Sequence, residues 1–284
     1  MNEAVPAVYT AVYGNYDRLI KPVPQDIPVE WYCFTDRAPA AAQGWNVMVE
    51  SPQDPDPRLS AKWPKMMPDA VLPEHKWTIW IDANLAIDSE SFVREALTYA
   101  KSGIAVFRHP FRRSICHEAY SCLRRPDSRG MPVLDQVRHY YREGYEDQSL
   151  YACGVLIRDR DRWAASGAGR MWFGECIRWS TRDQLSFPVV LARLGLTPSV
   201  FPFHIGRAPT WLALARVLGL TPGTFPIHMA KDREARRLCP STWFPSLRTI
   251  PFQWRAQDQS RVPVPRLKQN PWFEVAPHRS THST

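Results

Sequence analysis

Short runs of β-branched and aromatic residues, set apart by polar or proline-bearing turns, recur through the first third of the chain at residues 7–13, 30–35, 45–49 and 77–81. Further runs at 103–107 and 150–157 alternate with stretches whose apolar residues repeat at helical spacing. Strands that alternate with helices cannot all be joined by hairpins. This order constrains the chain to an α/β domain with a mostly parallel central sheet flanked by helices. Asp88 or Ser89 is placed to cap a helix running to about Ala100, with Phe92, Val93, Ala96 and Leu97 on its apolar face. Val133, Leu134, Val137, Tyr140 and Tyr141 predict a helix over 133–143, with Gly144 as its stop. Thr181 and Gln184 have capping-box spacing and predict a helix toward Leu194, kinked at Pro188. The proline-bearing stretch 51–73 reads as loop-rich.

A chain of 284 residues with 44% hydrophobic and 23% charged residues suffices for a full core. The expectation is one domain over 1–254 and a basic, proline-containing tail over 255–284. Leu194 to His204 is echoed by Leu218 to His228, and Pro209 and Gly219 bracket a short helix between them. Two copies are too few for a solenoid, so a local duplication is the simpler account. Apolar stretches fall short of the roughly 18 residues a membrane span needs, and no basic-then-apolar leader follows Met1. These features predict a cytoplasmic protein with no transmembrane segment. A net charge of +8 favours nucleotides, acidic glycans or peripheral contact with a membrane surface. No helix-turn-helix, zinc-finger or RNP-like pattern points to a specific nucleic acid. The six cysteines include no Cys-x-x-Cys pair and read as buried free thiols.

Chemistry concentrates where the strand at 77–81 runs out, at Asp82-Ala83-Asn84. Two hard oxygen ligands one residue apart, at the carboxyl edge of a sheet, can share Mn²⁺ or Mg²⁺ with a diphosphate. The competing reading is a polar turn after a core strand. Arg58, Lys62 and Lys65 form a cationic loop just before it, able to hold phosphate. His204 or His228 could complete the metal site, with Lys231 or Arg207 neutralising a departing phosphate; each histidine could equally be a hydrogen-bonded loop residue. Asp183 and Gln184 are either helix-start residues or site residues that steer or deprotonate an acceptor hydroxyl and hold the sugar. Glu118 is a second candidate base, or a solvated helix residue. Arg108, His109 and Arg112 make a cationic cluster suited to a phosphate or acidic sugar, or a solvated surface.

Six segments in order carry a resemblance: Tyr9 to Asp17, Cys33-Phe34-Thr35-Asp36, Lys62 with Lys65, Trp80 to Asn84, Arg108 to Arg112 with Glu118-Ala119, and Arg182 to Phe187. Together they resemble the TOD1/MUCI70 glycosyltransferase-like family. The resemblance implies a GT-A-like (Rossmann-like) fold whose Asp-x-Asp-type motif holds a divalent metal on the donor diphosphate. It puts Tyr9, Thr10, Tyr13 and Asp17 beside the nucleotide and makes Asp82 with Asn84 the metal motif. Gly154 to Ile157 is similar to the Asn-Ala-Gly-Val segment of retaining family-8 transferases, with Cys153 departing from it. The expectation is a glycosyltransferase (EC 2.4) moving a sugar from a nucleoside-diphosphate sugar to a saccharide hydroxyl, in surface or capsular polysaccharide synthesis. Lys62, Lys65 or Arg108 would stabilise the leaving diphosphate, and Asp183 and Gln184 would face the donor sugar and acceptor. A nucleotidyltransferase and a non-catalytic basic protein binding glycans or nucleic acid are the competing readings.

Overall fold

The computed structural model describes residues 5–15, 17, 19–85, 87 and 89–201. His204, His228, Lys231, the second copy of the echo, the helix between Pro209 and Gly219, and the 254/255 boundary with its tail lie outside the described residues, as does Asp88.

Seven strands form one sheet: β1 (Ala7–Val12), β2 (Glu30–Thr35), β3 (Asn46–Val49), β4 (Trp77–Ile81), β5 (Ile104–Arg108), β6 (Tyr151–Asp159) and β7 (Ser199–Val200). Their order is β3-β2-β1-β4-β6-β5-β7. The β1–β2, β1–β4, β2–β3 and β5–β7 pairings are parallel, and β6 runs antiparallel between β4 and β5. The sheet is mostly parallel and flanked by helices, so the class is α/β, as expected. After β1 the chain turns outward to β2, whereas after β4 it crosses toward β5. The carboxyl ends of β1 and β4 therefore flank a topological switch point, the place where open α/β sheets leave a crevice.

Strand alternation divides the core into two layers. Tyr9, Trp80, Val106 and Leu156 face one side, with Met66, Trp163, Trp172 and Phe187. Their strand neighbours Val8, Ile79, Ile81, Ala105, Phe107, Val155 and Ile157 face the other, with Phe92, Val93 and Ala96. Both faces being covered, the central strands read as continuous apolar runs, as parallel strands do. A third cluster joins α4 (Ile115–Cys122), α5 (Val133–Arg142) and α8 (Asp183–Arg193) through Ile115, Ala119, Val137, Tyr140, Leu185 and Val189.

The stretch 51–73 is more helical than expected. It holds α1 (Pro57–Met66) and α2 (Pro68–Val71). Asp56 caps α1 by accepting the Arg58 amide at 2.9 Å, and Pro57 stands at the first helical position, where its fixed φ suits the helix and no N–H is missed. Proline here starts the helix, and a loop reading takes it for a breaker. Pro64 sits inside α1, yet the helix continues to Met66.

The helix from 88 or 89 is shorter than expected. It is α3 (Phe92–Tyr99), with Ser91 at its N-cap making no side-chain capping bond, while Ser89 Oγ accepts the Ser91 amide in a turn before it. Thr181 does not form a capping box, because Arg182 takes the N-cap position of α8 and the Thr181 hydroxyl turns to Met131 Sδ at 3.7 Å. Pro188 lies inside α8, which runs on to Arg193. Gly144 does follow the end of α5, at φ +86°. Two helices carried no sequence expectation, α6 (Arg160–Ser166) and α7 (Ala168–Arg178). Cys33, Cys122, Cys153 and Cys176 are buried free thiols, and Cys116 is a partly exposed one.

Where α7 crosses α1 the backbones nearly touch. A Cβ on Gly169 would fall 2.2 Å from the Met66 carbonyl oxygen and 2.9 Å from Trp163 Nε1, which itself donates to that carbonyl at 2.9 Å. Gly169→Ala is therefore expected to destabilise the fold by about 1–3 kcal/mol, an overpacking penalty that shifts the urea midpoint at unchanged slope.

Candidate functional site

Asp82 leaves β4 at the switch point and is held from three directions. Its amide donates to the Gly154 carbonyl of β6 at 2.8 Å, and its carbonyl accepts the Leu85 amide at 2.8 Å, so 82–85 forms a tight turn with Asn84 exposed at its tip. Its Oδ1 accepts Trp80 Nε1 at 2.8 Å and Lys65 Nζ at 3.0 Å. Gly154 is needed here: a Cβ would lie 3.2 Å from Asp82 Oδ2 and 3.0 Å from Leu85 Cδ1, pushing the carboxylate outward. The Asp82 side chain is 41% exposed. Its Oδ2 and the Asn84 amide make no hydrogen bond among the described residues.

Lys65 comes from the last turn of α1, where a cation also complements the helix dipole. Its ammonium is buried between Asp82 and Asp183 Oδ2, the latter at 2.7 Å, and lies 5.3 Å from the Trp80 ring centre. Lys62, one turn earlier, reaches the same Asp183 oxygen at 2.7 Å. Burial alone would raise the Asp183 carboxyl, but Lys62 and Lys65 outweigh it and hold the group well below the usual carboxylate range. Burial likewise opposes charge on Lys65, and Asp183 and Asp82 reverse this, raising it above the ordinary lysine value. A carboxylate so strongly held in its ionised form is a weak proton acceptor, which argues against Asp183 as a general base and for it as a fixed charge.

A cleft of about 360 Å³ collects these groups. Tyr13 and Asp17 line it from the end of β1, Arg58, Lys62 and Lys65 from α1, Asp82 to Asn84 from β4, and His109 and Arg112 from the loop after β5. Arg125, Asp127, Cys153, Gly154 and Thr181 to Gln184 complete the wall. The start of α8 thus opens onto the cleft, as its sequence position predicts. Asp17 faces Asp82 closely enough that, after burial, the Asp82 charge is the second cause raising its carboxyl.

Other expected site residues stand elsewhere. Tyr9 is buried in the core beneath the sheet, its ring edge-on to Phe34 and Trp80, and burial pushes its hydroxyl up to about 12. It accepts a bond from Arg158 and donates weakly to the Lys65 carbonyl at 3.4 Å, so it supports α1 from below and is out of reach of a nucleotide. Thr10 is also buried and off the cleft wall. Tyr13 reaches the wall, its hydroxyl donating to Glu50 at 2.7 Å. Arg108 is exposed at the end of β5, off the cleft wall. Glu118 is neither solvated nor open to the cleft. It is fully buried on α4 behind Arg112 and Arg182, whose guanidiniums hold its carboxyl below the usual range against its burial. As a general base it has no path to a substrate.

Arg158 is a residue that the sequence reading passed over. It is wholly buried on β6, donates to the Lys65 carbonyl at 2.6 Å through Nη1, and packs 5.1 Å from the Trp163 ring centre. It occupies the carbonyl end of α1 and fixes the helix that delivers both lysines. A lone arginine within the apolar run at 151–157 and its end is the signal that marks it.

The sequence matches the TOD1/MUCI70 glycosyltransferase-like domain over residues 40–205, more than half of the chain. It belongs to the TOD1/MUCI70 family. Within that match lie Lys62, Lys65, Asp82, Asn84, Arg112 and Asp183, the groups that build the cleft. Curated proteins give no match. Among solved structures, the chain is similar to the apo form of WbbM, a bifunctional glycosyltransferase, with TM-score 0.43 and 10% identity over 70% of this chain. The match spans 38% of that structure's chain.

Among the described residues of this TOD1/MUCI70 member, no three His, Cys, Asp or Glu side chains converge as a metal cluster, and no helix is long and apolar enough to cross a membrane. The side chains on the cleft lining that could hold a divalent cation are Asp82, Asn84 and Asp17. These are hard oxygens on one wall, two of them on mutually repelling carboxylates. That chemistry fits Mn²⁺ or Mg²⁺ sharing its remaining positions with water and phosphate oxygens.

Proposed function

We propose that the protein is a metal-dependent glycosyltransferase that moves a sugar from a nucleoside-diphosphate sugar to a saccharide hydroxyl. The observation that supports it is the meeting, in one cleft at the switch point, of the Asp82–Asn84 turn with Lys62, Lys65 and the start of α8. Asp82, Asn84 and Asp17 would hold the cation, which supplies charge neutralisation for the donor diphosphate. Lys62 and Lys65 are fixed in place by Asp183, so their positive charge is preorganised where the leaving diphosphate gains charge. Gln184, at the same edge, offers an amide to orient the sugar. Asp183 holds both ammonium groups in place, and the acceptor proton is left to another group.

A thermal-shift series with UDP, GDP, CDP and ADP, each with and without MnCl₂, tests this. A ligand that binds only the native state stabilises it by about 2.7 kcal/mol at a hundred times its dissociation constant. At least one nucleoside diphosphate is expected to raise the melting temperature, and more strongly with Mn²⁺. No shift from any of them would remove the donor-site reading.

A further inference from the structure

The segment from the end of β5 through α4 carries exposed basic and apolar side chains together. Residues 108–130 hold six arginines against two carboxylates, a net charge of +4 in a chain whose total is +8. Neither carboxylate offsets the outer charge. Glu118 is buried against Arg112 and Arg182, and Asp127 pairs with Arg125 and Arg182. Arg113, Arg124 and Arg129 are exposed and meet no carboxylate among the described residues.

The local fold sets which side chains face out. α4 buries Ile115, Glu118, Ala119 and Cys122 on one side. Helical spacing then puts His117, Tyr120 and Arg124 on the other, with Leu123 beside them. Leu123 and Arg124 prolong the turn, their amides donating to the Ala119 and Ser121 carbonyls at 3.1 and 3.3 Å. Ahead of the helix, the Phe111 and Arg112 amides both donate to His109 Nδ1, at 3.1 and 2.9 Å, which fixes the turn that carries the Phe111 ring. Phe111, Leu123 and Tyr120 are 65%, 54% and 44% exposed. One exposed apolar residue is ordinary, but three in a short segment interleaved with exposed arginines mark a contact surface.

The charge calls for an anionic partner, and the apolar set decides its kind. Phe111 and Tyr120 could stack on the sugars or bases of an acidic polymer, but Leu123 has no flat face to stack. A lipid interface uses all three, because acyl chains accept Phe and Leu, a Tyr ring suits the headgroup boundary, and arginines meet the anionic headgroups.

We propose that residues 108–130 form a docking surface for an anionic lipid bilayer, with Phe111, Tyr120 and Leu123 entering the interface and Arg113, Arg124 and Arg129 meeting the headgroups. Arg112, Arg125 and Asp127 belong to the same segment and line the cleft, so docking brings the rim of the cleft to the bilayer. The proposal stands on this surface alone and does not need the donor-site reading.

Cosedimentation of the full chain with vesicles tests it, using phosphatidylcholine alone and equal parts of phosphatidylcholine and phosphatidylglycerol. Binding is expected to the mixed vesicles, weakly if at all to the neutral ones, and less as salt is added. An arginine near an anionic surface is worth about fivefold in affinity, so Arg113→Gln combined with Arg124→Gln should weaken binding about 25-fold. Phe111→Ser combined with Leu123→Ser leaves the charge unchanged and should weaken it by about tenfold or more. All four residues lie off the cleft wall, so the melting temperature and its response to UDP with Mn²⁺ should stay as in the wild type. Failure to bind the mixed vesicles overturns the proposal, and retention by soluble polyglucuronate would then name an acidic polymer as the partner. Vesicle binding that survives either double replacement overturns it as well.

Discussion

Asp183→Asn is expected to lower the stability of the fold by about 3 kcal/mol, at the lower end of what removing one partner from a buried ion pair does. The substitution keeps shape and takes away the charge that two ammonium groups share, each at 2.7 Å. Lys65 is buried and keeps only Asp82, whereas Lys62 can turn toward the water of the cleft, which is why the loss does not reach the upper end. Urea denaturation with an unchanged slope measures it. The pH dependence carries the same signature. The folded-state pKa of Asp183 lies below its unfolded value, so its contribution is complete above the unfolded value of about 3.9 and is lost as pH falls through the folded one. Glu118, also lowered, acts with the same sign. Wild-type stability should therefore fall steeply below about pH 4, and Asp183→Asn should flatten that limb. A variant as stable as the wild type, with the same acid limb, would mean that the lysine pair is not held as described.

Asp82→Ala should behave in the opposite way, with a large effect on activity and a small one on stability. Its pair with Lys65 is partly open to solvent, and such pairs contribute little. Lys65 keeps Asp183, and Trp80 Nε1 loses one acceptor, a loss of about 0.5–1.5 kcal/mol. Transfer, by contrast, should fall by about 10²–10³-fold, the range seen when one preorganised electrostatic contact to a developing charge is removed. Comparing the steady-state rate with the urea midpoint separates the two effects. Equal losses in both would make Asp82 a structural residue.

The strands were legible because period and composition agree along them: 30–35 and 77–81 coincide with β2 and β4. Asp82 could be placed at a sheet edge for the same reason, since the apolar run ends there. What escaped was set by tertiary contacts or by ambiguous chemistry. Pro57 reads as a loop residue until Asp56 is seen capping the turn that it opens. Glu118 has the look of a surface helix residue, and only the approach of Arg112 and Arg182 from other segments makes its burial tolerable. Tyr9 belonged to a segment with a family resemblance, yet strand alternation turns it to the core, while Tyr13, beyond the strand end, reaches the cleft wall. Arg125 and Asp127 carried no signal of their own, because a short polar turn shows its direction only once folded.

On the proposed function, the Asp82 turn and the lysine pair form a donor-diphosphate site that works with a divalent cation. Its most direct measurement is release of nucleoside diphosphate from a panel of UDP- and GDP-sugars by the wild type with Mn²⁺, by the wild type in chelator, and by Asp82→Ala with Mn²⁺. Release is expected in the first case and its loss in the other two. Undiminished release in chelator, or from Asp82→Ala, would contradict it.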